Sequence, residues 1–365
     1  MGLKCGIIGL TNSGKTTLFN CISNTKAQAT NFAYSTNKSN MGICNVPDPR
    51  LIDIHRFIKA EKLIFTTVDI VDIPGLAKGA SEGLGLGNTF LADIRQVDAL
   101  VQVLRCFEDA NLPHVEGSID PVRDIDIVEF ELQIKDLEQI EKKLQKVEKS
   151  AKVGDKDAKK AAEILLRCKA HIENFNSIRT LEISEDEHKH IADLMLLTEK
   201  PVMYVCNVDE DSAVDGNQYS NAVVTAMAQS GAEIVVVAGK LEADIAELDS
   251  EEDRSAFLQD VGLSEPSVNK LINTAYRLLN LISFFTVGGK ENRAWSICKG
   301  ATAPQAAGAI HSDLERGFIR AEVIKYIDLV QFGSEQKCKE SGKMSVEGKN
   351  YIIHDGDILN IRFNV

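Results

Sequence analysis

Gly9-Leu10-Thr11-Asn12-Ser13-Gly14-Lys15-Thr16 reads as GxxxxGK[ST], the loop that closes backbone amides around the phosphates of a nucleoside triphosphate. Its flanks come in the right order. Lys4-Cys5-Gly6-Ile7-Ile8 is a short apolar run that predicts a buried strand, and Thr17-Leu18-Phe19-Asn20-Cys21-Ile22 opens a helix. A strand-to-helix turn is where such a loop works: glycines let the N–H groups converge, and the helix N-terminus adds partial positive charge. The spacing assigns Asn12, Ser13, Gly14, Lys15, Thr16 and Thr17 to the phosphates, with Lys15 on the β- and γ-phosphates and Thr16 as a Mg²⁺ ligand. The fold class that follows is α/β, a P-loop nucleotide-binding domain.

Further on, Thr67-Val68-Asp69-Ile70-Val71-Asp72-Ile73-Pro74-Gly75 is an apolar strand that ends in DxxG. Asp72 is read as holding Mg²⁺ through water. Gly75 is read as donating its backbone N–H to the γ-phosphate, which places it with Lys15 among the catalytic residues. A glycine-rich stretch, Ala77 to Gly87, follows as the segment that moves when that phosphate leaves. Thr36, within Asn31 to Gly42, is read as the second side-chain ligand of Mg²⁺, with Thr30 and Ser35 as alternatives. Leu76 stands where Ras-like enzymes carry a water-orienting glutamine, so intrinsic hydrolysis is expected to be slow. His114, in Pro113-His114-Val115-Glu116-Gly117, is the internal candidate for the missing group.

After the apolar run Pro201 to Cys206 comes Asn207-Val208-Asp209-Glu210, where GTPases have Asn-Lys-x-Asp. Val208 has no long stem to lie along a base, and Glu210 is one methylene longer than the aspartate that clamps guanine. Loss of such a bidentate partner is worth roughly 1–3 kcal/mol, enough to erase a strong GTP preference. Asn207 and neighbouring backbone groups suit the N6 donor and N1 acceptor of adenine, so the reading leans to ATP while GTP stays open. Ala238-Gly239-Lys240-Leu241 resembles a degenerate form of the loop that covers the base edge, adding Ala238 and Gly239 to the nucleotide-binding set.

The chain has 365 residues, 44% hydrophobic and 26% charged, which predicts two or three globular domains. No apolar run approaches the roughly 18 residues that span a bilayer, and the N-terminus enters the first strand directly, so a cytoplasmic protein without membrane contact is expected. Eight cysteines are scattered without a CxxC pair and read as buried thiols. A net charge of −13 argues against non-specific coating of nucleic acid. From Asp124 onwards, Ile127, Phe130, Ile134, Leu137, Ile140, Leu144 and Val147 recur at helical spacing, and after a polar break at 150–155 a second stripe runs Ala158, Ala161, Leu165, Cys168, Ile172, Phe175. These predict an antiparallel coiled-coil hairpin. Lys142, Lys143, Lys146, Lys149, Lys152, Lys156, Lys159 and Lys160 flank its tip, a solvated face or a contact for RNA or an acidic partner. The predicted domains are 1–123 with 199–280 for nucleotide binding, 124–198 for the helical insertion, and 281–365 for a strand-rich C-terminal unit.

With the P-loop, Leu76 after DxxG, the Asn-x-x-Glu base reader and the helical insertion, the chain resembles the YchF/Obg-like ATPases over essentially its whole length. Specific to that likeness are Gly85-Leu86-Gly87-Asn88, Phe90-Leu91, Ile94-Arg95, and Ile310-His311-Ser312-Asp313 with the run Glu315 to Val323. The last looks like the family's TGS domain, an α+β, β-grasp-like fold. The resemblance implies a translation-factor-class ATPase that can also accept GTP, associates with ribosomes or ribosomal RNA through the hairpin and TGS domain, and is linked to stress responses; a monomer is expected. Thr11, Ser13 and Thr16 depart from the commoner residues of the family's P-loop, and Ala33-Tyr34-Ser35-Thr36-Asn37-Lys38-Ser39 replaces a Pro-Phe-Cys-Thr-Ile-Glu-Pro run. Two other readings stand beside the ATPase: an Obg-type GTPase, and a nucleotide-gated RNA- or ribosome-binding module whose hydrolysis is incidental.

Overall fold

The computed structural model of the chain describes residues 3–23, 39–75 and 86–364. Thr30, Ser35, Thr36, Leu76 and the glycine-rich stretch 77–85 lie outside the described residues. Along the chain come β1 (Lys4–Ile8), α1 (Lys15–Ser23), β2 (Asn40–Asn45), α2 (Pro49–Phe57), β3 (Lys62–Ile64), β4 (Thr67–Asp72), α3 (Leu86–Arg95) and β5 (Ala99–Cys106). Then follow α4 (Pro121–Lys152), α5 (Lys156–Glu173), α6 (Glu185–His188), β6 (Val202–Val208), α7 (Gln218–Met227), β7 (Ile234–Val237), α8 (Gly239–Glu247), α9 (Glu251–Asp260) and α10 (Ser267–Leu278). The remainder is β8 (Leu281–Thr286), β9 (Glu291–Cys298), α11 (Ala303–Ile310), α12 (Ser312–Arg316), β10 (Phe318–Lys325), α13 (Tyr326–Phe332), α14 (Glu335–Glu340), β11 (Met344–Glu347) and β12 (Asp357–Phe363). Two compact units result, Met1–Gly42 with Asp69–Leu271, and Ile43–Val68 with Ile272–Val365.

In the first unit the sheet order is β2-β4-β1-β5-β6-β7, and from β4 to β7 each strand pairs parallel with the next. All eight residues of β5 are buried, as a strand covered on both faces requires. Ile94, Val97 and Leu132 pack against Ile8, Ile73 and Leu100 in one cluster, while Val223, Leu241 and Ile245 pack against Leu104, Tyr204 and Cys206 in another. Parallel strands point their carboxyl ends the same way, so the loops that leave β1, β5, β6 and β7 gather at one edge of the sheet.

The two helical stripes become α4 and α5. Asp120 caps α4 by accepting from Arg123 N, and Asp155 caps α5 by accepting from Asp157 and Ala158 N, which also ends the polar break between them. Ile140 and Leu144 pack with Ile164, Leu165, Cys168 and Ile172. Asp136 ties down the returning chain: its buried carboxylate accepts Leu197 N and Thr198 N, each at 2.8 Å, and Thr198 Oγ1 at 2.7 Å. Two members of the stripes are not core. Phe130 is 48% and Phe175 75% exposed, the rings stacked on each other at 6.4 Å, and Phe175 sits in the left-handed region at φ 59°. Lys143, read as part of the solvated tip, instead bonds His190 O at 2.6 Å and pairs with Asp193.

The second unit is a mixed sheet of order β11-β10-β12-β8-β9-β3. The small alanines of α11, Ala303, Ala306 and Ala307, let that helix lie close on Phe284, Phe318 and Leu359. On another cluster Leu51 and Ile54 of α2 and Leu329 of α13 cover Phe285, Ile324 and Ile358. The contacts group the chain differently from the domains read from sequence: Ile43–Val68 joins Ile272–Val365, where the sequence reading kept it within 1–123 and began the C-terminal unit at 281. The physical cause is threefold. Leu51 and Ile54 are fully buried and cluster with Phe285, Ile324 and Ile358, β3 pairs parallel with β9 through Lys62↔Glu291 and Ile64↔Arg293, and the Arg50 guanidinium bonds both Asp48 and Asp355 at 2.8 Å while lying over the Phe285 ring. Seven of the cysteines are buried and Cys298 is exposed. No helix among the described residues is long and apolar enough to cross a membrane.

Candidate nucleotide site

The loop between β1 and α1 is built by backbone shape. Gly9 and Gly14 take φ of +146° and +92°, and a Cβ on Gly14 would fall 2.1 Å from the Asn207 amide nitrogen, so no larger residue fits there. Lys15, 7% exposed, donates to Leu10 O at 2.6 Å. Burial lowers its pKa to about 8, although the nearby Asp72 carboxylate favours the charged form. Thr16 Oγ1 donates to Asp72 Oδ2 at 3.1 Å. Burial raises the Asp72 pKa against that hydrogen bond and the Lys15 charge. A Cβ on Gly75 would lie 3.0 Å from Lys15 Nζ, so Gly75 and Lys15 lie side by side, next to the Thr16–Asp72 pair. Ser13 Oγ is buried without a hydrogen-bond partner among the described residues.

At the other end of the site, a cavity of about 820 Å³ is lined by Lys15, Thr16 and Thr17, and by Phe107, Leu112, Asn207, Glu210 and Lys240. Asn207 is not a simple base reader. Its amide nitrogen donates to Ser13 O and its Oδ1 accepts Gly239 N, both at 2.9 Å, so it joins the phosphate loop to the loop after β7. Val208 is 3% exposed and belongs to the core cluster. Asp209 accepts from Ser212 N and Ser212 Oγ, which turns the chain so that Glu210 faces the cavity. Ala238 is buried and forms the N-cap of α8, whose first residue is Gly239.

Sequence reasoning missed Phe107 and Leu112. Arg105, buried at the end of β5, donates to Phe107 O at 3.2 Å and lies 4.7 Å over its ring, fixing that wall. The signal was present: the segment leaves the carboxyl end of β5, the same edge that carries the P-loop. Asn12, at φ 64°, reaches the next stretch by donating to Pro113 O at 3.2 Å. There His114 is no exposed loop side chain. Its ring is 4% exposed, with Nε2 at 2.9 Å from Asp124 and Nδ1 accepting Glu116 N at 3.1 Å, so both nitrogens are engaged. Thr36 lies outside the described residues. The arrangement can hold a triphosphate on the loop amides and Lys15, and a hard cation on a hydroxyl and a carboxylate.

Residues 4–153 match the family described as 50S ribosome-binding GTPase, and residues 281–364 match the YchF GTPase C-terminal family, described as a protein of unknown function. The chain is 48% identical over 365 residues to the ribosome-binding ATPase YchF of Escherichia coli O157:H7, and 45% identical over 367 residues to that of Bacillus subtilis, each covered in full. The solved structure of the Schizosaccharomyces pombe YchF GTPase superposes with a TM-score of 0.86 at 35% identity, covering 99% of this chain and 98% of that one.

Proposed function

The chain belongs to the YchF family, and from that premise we propose that it is a ribosome-associated nucleoside triphosphatase that binds and slowly hydrolyses ATP with Mg²⁺, GTP being a weaker substrate. The observation that carries this reading is the Thr16 hydroxyl 3.1 Å from Asp72 with the Lys15 ammonium buried beside them. Hydroxyl and carboxylate oxygens suit a small hard cation, and a buried ammonium suits phosphate oxygens. Thr16 would ligate Mg²⁺ directly and Asp72 through water, with Thr36 the further side-chain ligand; the ion, when bound, supplies neutralisation of phosphate charge. The orphaned Ser13 hydroxyl fits a donor-rich cradle that a bound nucleotide completes. Asn12, Gly14 and Thr17 would complete the phosphate contacts, Gly75 N–H would meet the γ-phosphate, and Ala238 and Gly239 would edge the base.

The name carried by the relatives supports the ribosome as partner, and with it the cytoplasm. In this reading α4 and α5 are the coiled-coil insertion, the C-terminal unit is the TGS domain, both offer surfaces to the ribosome, and the protein acts as a monomer. The alternative, a nucleotide-gated binding module with incidental hydrolysis, is favoured by one observation: both nitrogens of His114 are engaged. Equilibrium binding of fluorescent ATP and GTP analogues to nucleotide-stripped protein tests the main reading. Tighter ATP binding is expected, with Mg²⁺ dependence weakened in Asp72→Ala. A GTP preference of tenfold or more, about 1.4 kcal/mol, would put the GTPase reading first.

A further inference from the structure

Glu210 stands at the position from which a carboxylate clamps guanine in GTPases, and here that carboxylate is already held. Lys240 Nζ lies 2.7 Å from Glu210 Oε1, and both residues line the nucleotide cavity. The pairing follows from the sheet. β6 and β7 are parallel neighbours, with Asn207 opposite Val237, so the loops that leave them run side by side. They are joined twice: by the buried Asn207 amide, which accepts Gly239 N, and by the outer Lys240–Glu210 pair. Lys240 is 81% and Glu210 44% exposed, so the pair contributes little to folding and can be removed without disturbing the core.

Guanine is recognised by an acceptor that takes both N1–H and N2–H₂, whereas adenine offers no such pair of donors on that edge. A carboxylate committed to an ammonium is a poorer acceptor for that pair, and a positive charge beside it disfavours the guanine donors further. We propose that Lys240 is a specificity-determining positioning residue, which holds Glu210 away from the guanine edge and so favours adenine in this pocket. This rests on the reading that the cavity takes the base of a nucleoside triphosphate.

The test is equilibrium binding of fluorescent ATP and GTP analogues, with Mg²⁺, to the full chain and to Lys240→Ala, Lys240→Arg and the double variant Lys240→Ala/Glu210→Gln. Circular dichroism melting of each variant checks the fold. In Lys240→Ala the GTP-to-ATP affinity ratio should rise about tenfold, the scale of one recovered charge-assisted contact. Lys240→Arg should keep the original ratio, and the double variant should lose the gain. An unchanged ratio in Lys240→Ala, or a gain that survives Glu210→Gln, overturns the proposal while leaving the nucleotide site intact. If the unmodified chain binds neither analogue, the reading of the cavity itself fails, and this inference with it.

Discussion

Lys15 shows how a single buried charge couples nucleotide binding to protons. Its pKa falls from 10.5 to about 8 because burial opposes the ammonium more strongly than Asp72 supports it. A depressed folded pKa adds stability that is complete above 10.5 and is lost as pH falls through about 8, so the nucleotide-free protein carries this cost at neutral pH. Phosphate oxygens favour the charged form. Binding at pH 8 should therefore take up about half a proton on Lys15, and binding at pH 6 almost none. Calorimetry in buffers of different ionisation enthalpy reads this directly; heats that do not depend on the buffer at pH 8 would contradict it. His114 makes a second residue-scale case, because its engagement with Asp124 and Glu116 N must be broken before it can touch a water. His114→Ala should slow single-turnover hydrolysis by about a hundredfold, the low end for loss of a general acid or base, while ATP affinity stays within about twofold. Unchanged turnover would leave the ring with the role of anchoring Asp124.

Helix α2 is the element whose place the sequence hid. Leu51 and Ile54 have ordinary helical spacing, but nothing local tells which sheet they will cover, since their partners Phe285, Ile324 and Ile358 lie far along the chain. Leu51→Ala should cost about 3 kcal/mol, the usual size for a fully buried leucine. Trp295, the single tryptophan, lies in β9 of the same unit, so its fluorescence should report an earlier unfolding transition while ATP affinity holds. Loss of ATP binding with an unmoved tryptophan signal would return 43–68 to the nucleotide-binding unit. The P-loop and DxxG were legible for the opposite reason: their geometry is fixed by glycines and short-range spacing, which the local order of residues records. The helical stripe of α4 was equally legible in period, yet it could not tell that Phe130 would turn outward to stack on Phe175. The Phe107 wall and the pairing of Lys240 with Glu210 became visible only once strand order put their loops beside the P-loop.

For the molecule as a whole, charge and the proposed partner are at odds. A chain of net charge −13 is repelled by ribosomal RNA, so any RNA contact needs a local surface of the opposite sign. The end of α4 offers one, because Lys142, Lys146, Lys149 and Lys152 are all exposed, whereas Lys143 is occupied by His190 O and Asp193. Replacing Lys142, Lys146 and Lys149 by glutamate, with Lys143 left to its internal role, should lower ribosome co-sedimentation at least about tenfold. Each lost phosphate contact also removes roughly 0.7–0.9 from the slope of log affinity against log salt, so the salt dependence should flatten by about 2–3. ATP affinity should not follow, since none of the three residues lines the nucleotide cavity. Co-sedimentation equal to that of the unmodified protein at every salt concentration would take the proposed contact off the end of α4.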